Sequence, residues 1–362
     1  MKKRKAVLVM DWLDDYAGSE QVVKYLHEEY NFEKVYTLIN IMPTDNFERI
    51  FGENNTVTVE TSSLSIFGKH FRLALPLFPM FLNQLKVKEE EALIISVTHS
   101  VVKGIDFPKN SNHISYLVAR NLKYVWEEKK LYFKGIKKIA SFIIPSLQRF
   151  DVKMSAKPTK IISVSSFVSD WAHKKYNRKI STINPPVNIK EFEYQEEKEE
   201  FYVSVGRLEP YKRYDLLIDA FNKNGKRLVI IGDGSLKNNL EKKAKKNIEF
   251  KGFLFSEKSK EYLKKAKAFV FCGKEDFGIA LLEAQVCGTP VITFKAGGAL
   301  DSVIENKTGV FFKKQTASSL NDAILNFEKM KFNSNEIREH SLKFSIENFK
   351  ESFNEITADL KF

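Results

Sequence analysis

The sequence predicts an α/β protein built from two doubly wound parallel sheets. Short apolar, β-rich runs alternate with longer helical stretches in both halves of the chain. The runs are continuously apolar rather than alternating, the pattern of parallel strands covered by helices on both faces. Near the middle, the stiff turn Asn184-Pro185-Pro186-Val187 and the polar, acidic stretch Lys190–Glu200 interrupt the alternation.

In the first half the predicted strands are Ala6–Met10, Val35–Leu38, Val57–Glu60, Leu93–Val97, Ile114–Leu117 and Ile161–Val164, with an amphipathic segment at Ser19–Tyr30. In the second half they are Tyr202–Val205, Arg227–Ile231, Ile248–Phe250, Ala268–Phe271, Val291–Phe294 and Gly309–Phe312. Helical stretches Tyr214–Asn222, Leu236–Lys245, Ser256–Ala266 and Ile279–Cys287 separate these. Ser345–Leu360 reads as one amphipathic helix, with Phe349, Phe353 and Ile356 on one face. The expected domains are residues 1–184 and 185–344, with the C-terminal helix 345–362 able to return to the first. Open α/β sheets bind ligands outside the carboxyl ends of their strands, so two such domains place an active site in the cleft between them.

At 362 residues, with 43% hydrophobic and 29% charged residues, the chain is globular and has ample apolar material for two cores. The longest apolar stretch, Leu73–Leu82, is too short to span a membrane and carries Pro76 and Pro79. Only A-V-L-V-M separates the basic start M-K-K-R-K from Asp11, so no signal-peptide core is expected. Cys272 and Cys287 alone frame neither a disulfide scaffold nor a zinc site, and read as buried residues of a cytoplasmic protein. There is no G-x-S-x-G, H-E-x-x-H or G-x-x-x-x-G-K-[ST] motif, and no D-x-D pair of the kind that holds a metal diphosphate. His27, His70, His173 and His340 are isolated and read as surface or packing residues.

The net charge is +12, and residues 101–184 hold 17 Lys/Arg against 5 Asp/Glu. A patch of this kind attracts phosphates of nucleotides, nucleic acids or anionic lipids. A general abundance of lysine is the competing explanation for the scattered cations, but not for the scarcity of acids in one segment. Lys129–Ile139 interleaves lysines with apolar residues, Ala140–Ile144 is apolar apart from Ser141, and Phe71–Leu82 mixes apolar residues with prolines unlike a regular core helix. Such stretches suit a surface lying on anionic headgroups without spanning the bilayer, although packing of the first domain accounts for part of them.

The chemistry concentrates in two stretches. In V-S-V-G-R-L-E-P-Y-K-R a strand ends at Val205, Gly206 allows a tight turn, and Arg207 and Lys212 project from the loop. A guanidinium fork and a mobile ammonium can together grip a diphosphate, though surface Arg/Lys pairs are common. In C-G-K-E-D-F-G-I-A-L-L-E-A, Glu275 sits in the loop after a strand, and Phe277-Gly278 turns into a helix carrying Glu283. If Gly278 opens that helix, free backbone N–H groups face an anion, and glycine permits close approach. A carboxylate at Glu283, among Ile279, Ala280, Leu281 and Leu282, is costly unless it accepts hydrogen bonds from a polyol such as ribose. The alternative is a capping glutamate beside a salt-bridged one.

On these residues the chain resembles the retaining GT-B glycosyltransferases of family four, whose E-x7-E signature matches Glu275 and Glu283. The resemblance also covers V-L-V-M-D-W-L with Gly18-Ser19-Glu20, I-I-S-V-T-H-S-V-V-K-G around His99, I-N-P-P-V-N, Ile231–Gly234 and G-G-A-L-D-S-V from Gly297. It is nearest to mannosyltransferases of O-antigen and other bacterial surface polysaccharides. It implies a GT-B fold of two Rossmann-like domains and transfer of a hexosyl group from a nucleotide sugar, with GDP-mannose first and UDP-hexoses as the alternative. The nucleotide sugar is then a co-substrate, with no metal or other cofactor expected. A lipid-linked glycan acceptor and peripheral contact with the inner face of the cell membrane are also implied; nucleic acid is not.

Carried over by position, the resemblance assigns Arg207 and Lys212 to the donor diphosphate, Glu283 to the ribose hydroxyls and Glu275 to the transferred sugar. It sets the backbone of Phe277, Gly278 and Ile279 beside that sugar and the base near Lys251-Gly252-Phe253. Gly18 would let the first domain's backbone close on the diphosphate. Two departures stand out: Met10 precedes Asp11-Trp12 where many members have histidine, and Tyr116–Tyr124 lacks the cleft histidine of a C-H-T-P-like motif. Arg120 and Asn121 are the candidates for that vacant role. The rival readings are a catalytically silent scaffold homologue, which the missing histidine favours, and a nucleotide-sugar epimerase.

Overall fold

The computed structural model describes residues 5–127, 142–254 and 256–360. The basic run Lys129–Ile139, with Ala140 and Ser141, therefore lies outside the described residues. The chain divides into two compact units, Met1–Asn184 with Lys350–Phe362, and Pro185–Phe349.

The first unit is built on a seven-stranded sheet of order β3-β2-β1-β4-β5-β6-β7. Its strands are β1 (Ala6–Met10), β2 (Lys34–Thr37), β3 (Thr58–Thr61), β4 (Leu93–Thr98), β5 (Asn112–Leu117), β6 (Lys160–Ser163) and β7 (Ser181–Thr182). Every pairing is parallel. Apolar β1 is buried along its whole length and pairs Leu8 with Val35 on one side and Ile95 on the other. The helix Gly18–Tyr30 follows β1 and buries Val22, Val23 and Leu26. The second unit holds a six-stranded parallel sheet of order β10-β9-β8-β11-β12-β13. Its strands are β8 (Glu199–Val205), β9 (Leu228–Ile231), β10 (Ile248–Phe250), β11 (Ala266–Phe271), β12 (Val291–Phe294) and β13 (Gly309–Phe312). Its core gathers Tyr202, Phe221, Ile230, Val270 and Ile292. Truncating a fully buried ring such as Phe221 to alanine costs about 3–5 kcal/mol.

The predicted α/β class stands, with shifts at element ends. The third strand runs one residue later than Val57–Glu60, and β6 starts at Lys160. The two-residue β7 was not anticipated; Ser181 and Thr182 carry no strand signal and are recruited by pairing with Ile162 and Ser163. Ala266 belongs to β11 rather than to the preceding helix, Ser256–Lys265. The C-terminal helix spans Ile346–Ala358, and from Lys350 onward it is part of the first unit. There Asn354 accepts from the Tyr30 hydroxyl at 2.9 Å and donates to Glu29 at 2.7 Å, and the Phe353 ring meets Tyr116 edge-on. Among the described residues no helix is long and apolar enough to cross a membrane.

Candidate functional site

The second sheet carries a row of glycines just beyond its strand ends: Gly206 after β8, Gly232 after β9, Gly252 after β10, Gly273 after β11 and Gly297 after β12. They let neighbouring loops stack closely along the carboxyl edge. Gly206 N–H donates to Ile231 O and Gly232 N–H to Gly252 O, at 2.9 and 2.8 Å. At Gly232, with φ +143°, a β-carbon would stand 2.0 Å from Gly206 O, so no side chain fits. Gly297 is closed in the same way: at φ +74° its β-carbon would stand 2.2 Å from the carbonyl oxygen of Glu275. The next residue, Gly298, donates its N–H to that oxygen at 3.0 Å. The Gly297-Gly298 pair thus seats the loop that carries Glu275.

On that seat Glu275 meets Lys212. The Lys212 Nζ lies 2.6 Å from Glu275 Oε1, and both side chains are largely buried. Arg207, on the same loop as Lys212, is exposed, with Nη2 3.4 Å from the Tyr211 hydroxyl. The neighbouring Arg213 is committed elsewhere, bonding Asp215 through Nε at 3.0 Å. Gly278 caps the helix Ile279–Val286 at φ 94°. A β-carbon on Gly278 would lie 3.4 Å from Glu275 Oε2, which puts the carboxylate beside the helix N-terminus. The Phe277 side chain is buried, its ring 6.1 Å from that of Phe344, so this residue can offer a ligand only its backbone. Ile279 is half-buried at the first helical position.

Glu283 lies further along that helix, between buried Leu282 and Ala284. Burial pushes its carboxyl up to about 7, with Glu191 adding to the rise and Lys260 and Lys212 opposing it. Both lysines are already engaged, Lys260 with Glu191 at 3.1 Å and Lys212 with Glu275. Among the described residues no ion pair or hydrogen bond engages the Glu283 carboxylate. The Glu283 side chain is half-buried, and a carboxylate without a donor in such a place is matched to hydroxyl groups brought by a ligand. Phe253, past β10, is 72% exposed. Among the described residues no group of three or more His, Cys, Asp or Glu side chains could hold a metal ion.

In the first unit the carboxyl edge is organised by Asp11, a residue whose role the sequence reading missed. Its buried carboxylate, directly after β1, accepts from the Thr98 hydroxyl and from the backbone N–H groups of His99, Ser100, Val101 and Val102, at 2.8–3.1 Å. Five donors on one carboxylate fix the loop after β4. His99 stands edge-on to Trp12, centroids 4.4 Å apart, with Nδ1 3.8 Å from Asp11 Oδ2. Burial lowers the imidazole pKa against the pull of Asp11. The only hint in the sequence is the pair of motifs D-W and T-H-S at two strand ends.

Of the candidates for the vacant histidine role, Asn121 is fully buried and donates Nδ2 to Ser100 O at 2.8 Å, so it braces this loop instead of facing a ligand. Arg120 lies over the Phe167 ring at 4.8 Å. His113 is a core residue, with Nε2 2.8 Å from Ser96 Oγ and a pKa lowered by burial to about 3. Gly18 is exposed at the start of its helix, where the Glu20 side chain accepts from Ala17 N–H at 3.0 Å and so closes the turn.

Residues 188–344 match the family of Glycosyl transferases group 1. The matched stretch contains the whole carboxyl edge described above, from Gly206 to Gly298. An uncharacterized glycosyltransferase of Methanocaldococcus jannaschii is 31% identical over 52% of this chain and 56% of its own length. The O-antigen chain mannosyltransferase RfbU of Salmonella typhimurium is 28% identical over 61% of this chain and 66% of its own length. The chain thus spans between about half and two thirds of the length of these curated relatives. In overall fold it is similar to Anabaena HepE, solved with UDP and glucose, at TM-score 0.71 and 16% identity over 98% of this chain and 99% of that one. The architecture of two parallel sheets with interleaved helices is that of the GT-B fold.

Proposed function

We propose that this chain is a nucleotide-sugar-dependent glycosyltransferase that moves a hexosyl group, mannosyl favoured, to a hydroxyl of a lipid-linked or polysaccharide acceptor with retention of configuration. The observation that carries the reading is the Lys212–Glu275 ion pair at a helix N-terminus, with Arg207 on the same loop and the partnerless Glu283 carboxylate on the same helix. The group 1 match over these residues and the likeness to a mannosyltransferase of O-antigen chains support it. Placement at the cytoplasmic face of the membrane follows from a lipid-linked acceptor.

In this reading Glu283 accepts from the ribose hydroxyls, and Arg207 and Lys212 hold the donor diphosphate. As the bond from sugar to phosphate breaks, charge builds on the departing nucleotide. In this reading the two cations and the N–H groups at the start of the helix Ile279–Val286 stabilise that charge. Glu275, beside that N-terminus, accepts from hydroxyls of the transferred sugar.

Thermal melts with GDP-mannose, UDP-glucose and the two nucleoside diphosphates test the reading. GDP-mannose is expected to raise Tm most and to be consumed only with acceptor present. Turnover of a UDP-sugar with GDP-mannose inert would replace the mannosyl assignment, and conversion of donor without acceptor would favour an epimerase. Stabilisation by none of them would remove the nucleotide-sugar reading.

A further inference from the structure

Thirteen large apolar side chains are exposed among the described residues, and five of them fall between positions 66 and 80. Ile66 is 85% exposed, Leu73 71%, Met80 64%, Leu77 47% and Phe67 40%. This is no loosely held loop. Leu64, Phe71, Ala74, Phe78 and Leu82, interspersed with them, are buried in the core of the first unit. Short helical turns over Ser63–Leu77, broken at Gly68, lead into the helix Phe78–Leu82. The segment is pinned by one set of apolar side chains while another set points to solvent. Soluble surfaces scatter such residues singly, and a contiguous group marks a contact.

Along the segment itself the charge is one-sided. No Asp or Glu occurs from Thr61 to Lys88, whereas Lys69, Arg72, Lys86 and Lys88 do. Arg72 pairs with Asp14 at 2.5 Å and Lys88 with Glu60 at 3.2 Å, which leaves Lys69, exposed among the apolar residues, as the cation nearest to them in sequence.

We infer that the segment 66–80 is a membrane-docking surface, whose apolar side chains enter the boundary between headgroups and acyl chains of an anionic bilayer while Lys69 reaches lipid phosphates. Apolar residues beside cations with no acid among them match that interface on both counts, burial and charge. The inference deepens the lipid-linked acceptor reading and rests on it for its purpose, since a surface-bound enzyme meets such an acceptor in two dimensions.

Co-sedimentation with vesicles of phosphatidylcholine, alone or mixed with phosphatidylglycerol, tests it. The wild-type chain is expected to pellet with the mixed vesicles and to be released by salt. The triple variant Ile66→Ser, Leu73→Ser, Met80→Ser should lose at least about tenfold in vesicle affinity, because three exposed side chains no longer leave water. Lys69→Glu should weaken binding to mixed vesicles alone. Tm and the melt shift with nucleotide sugar should be unchanged in both variants, so a failed donor assay and a failed docking assay remain distinguishable. Wild-type binding by the triple variant, equal binding to both vesicle types, or binding to neither overturns the inference. A concentration-dependent dimer that the triple variant abolishes, without vesicle binding, would make the surface a contact between copies of the chain.

Discussion

Lys212 and Glu275, on loops that follow different strands of one sheet, form an ion pair with Nζ 2.6 Å from Oε1. With no anion at hand, each neutralises the other. In the proposed function, a diphosphate arriving beside Lys212 would compete with Glu275 for the ammonium. The carboxylate so released would be free to accept from sugar hydroxyls, making donor binding and arming of Glu275 one event.

Lys212→Ala should lower transfer by about 100-fold or more, the usual cost of losing a charge-stabilising donor. Glu275→Ala should also lose most transfer, yet bind nucleoside diphosphate at least as well as wild type, because Lys212 is then uncontested. Calorimetric titration of the diphosphate into each variant checks this. Nucleotide lost by Glu275→Ala and kept by Lys212→Ala would reverse the assignment of roles.

Gly298→Ala tests the seat beneath Glu275. Its β-carbon would stand 2.2 Å from Phe277 Cα and 2.6 Å from Asp276 O, and backbone cannot swing aside as a side chain can. Overpacking of this kind costs about 1–3 kcal/mol. The expected variant folds with a lowered Tm and turns over at least about tenfold more slowly, since small misplacements of a reacting group are expensive in rate. Wild-type turnover would show that the Glu275 loop does not depend on this contact.

The raised pKa of Glu283 has a sign that melts can read. A carboxyl with an ordinary value of 4.5 when unfolded and about 7 when folded prefers its proton in the folded state. It therefore destabilises the fold progressively as pH rises from 4.5 through about 7, and costs nothing below that window. Glu283→Gln should raise Tm at pH 8 and leave it unchanged at pH 4. If the ionised form accepts the ribose hydroxyls, wild-type nucleotide affinity should increase over the same window, and the variant should show weak, pH-independent binding. Equal melting of the two proteins at pH 8 would count against the burial of this charge.

Transfer should survive EDTA. In the proposed function, Arg207, Lys212 and the helix N-terminus would supply positive charge for the departing diphosphate from the chain itself. Activity abolished by the chelator and restored by manganese or magnesium would mean that this charge is insufficient.

The two-sheet architecture was legible because its signal is local. A run such as Ala6–Met10 is apolar at every position, and only a strand covered on both faces needs that. Element ends were less legible, and β7 not at all, because Ser181 and Thr182 become a strand only when Ser163 and its neighbour offer a ladder. The charged residues of the candidate site were readable from spacing: Arg207 and Lys212 follow one strand, and Glu275 and Glu283 flank the start of the helix after another.

Contact between those residues was not readable. Nothing near Lys212 in the sequence says that its partner is Glu275, and nothing near Glu275 says that Gly298 holds its backbone; both depend on the order in which β8, β11 and β12 lie side by side. Asp11 shows the same limit most clearly. As one acid after one strand it looks like a surface residue, and only the pairing of β1 with β4 brings it five donors from Thr98–Val102. The sequence by itself determined which elements form and which chemical groups the strand ends carry, because periodicity and residue type act over a few positions. The tertiary structure alone decided which of those groups meet, and which apolar side chains between 66 and 80 were left facing water, because hydrogen bonds, ion pairs and burial are set by the three-dimensional arrangement of segments distant in the chain.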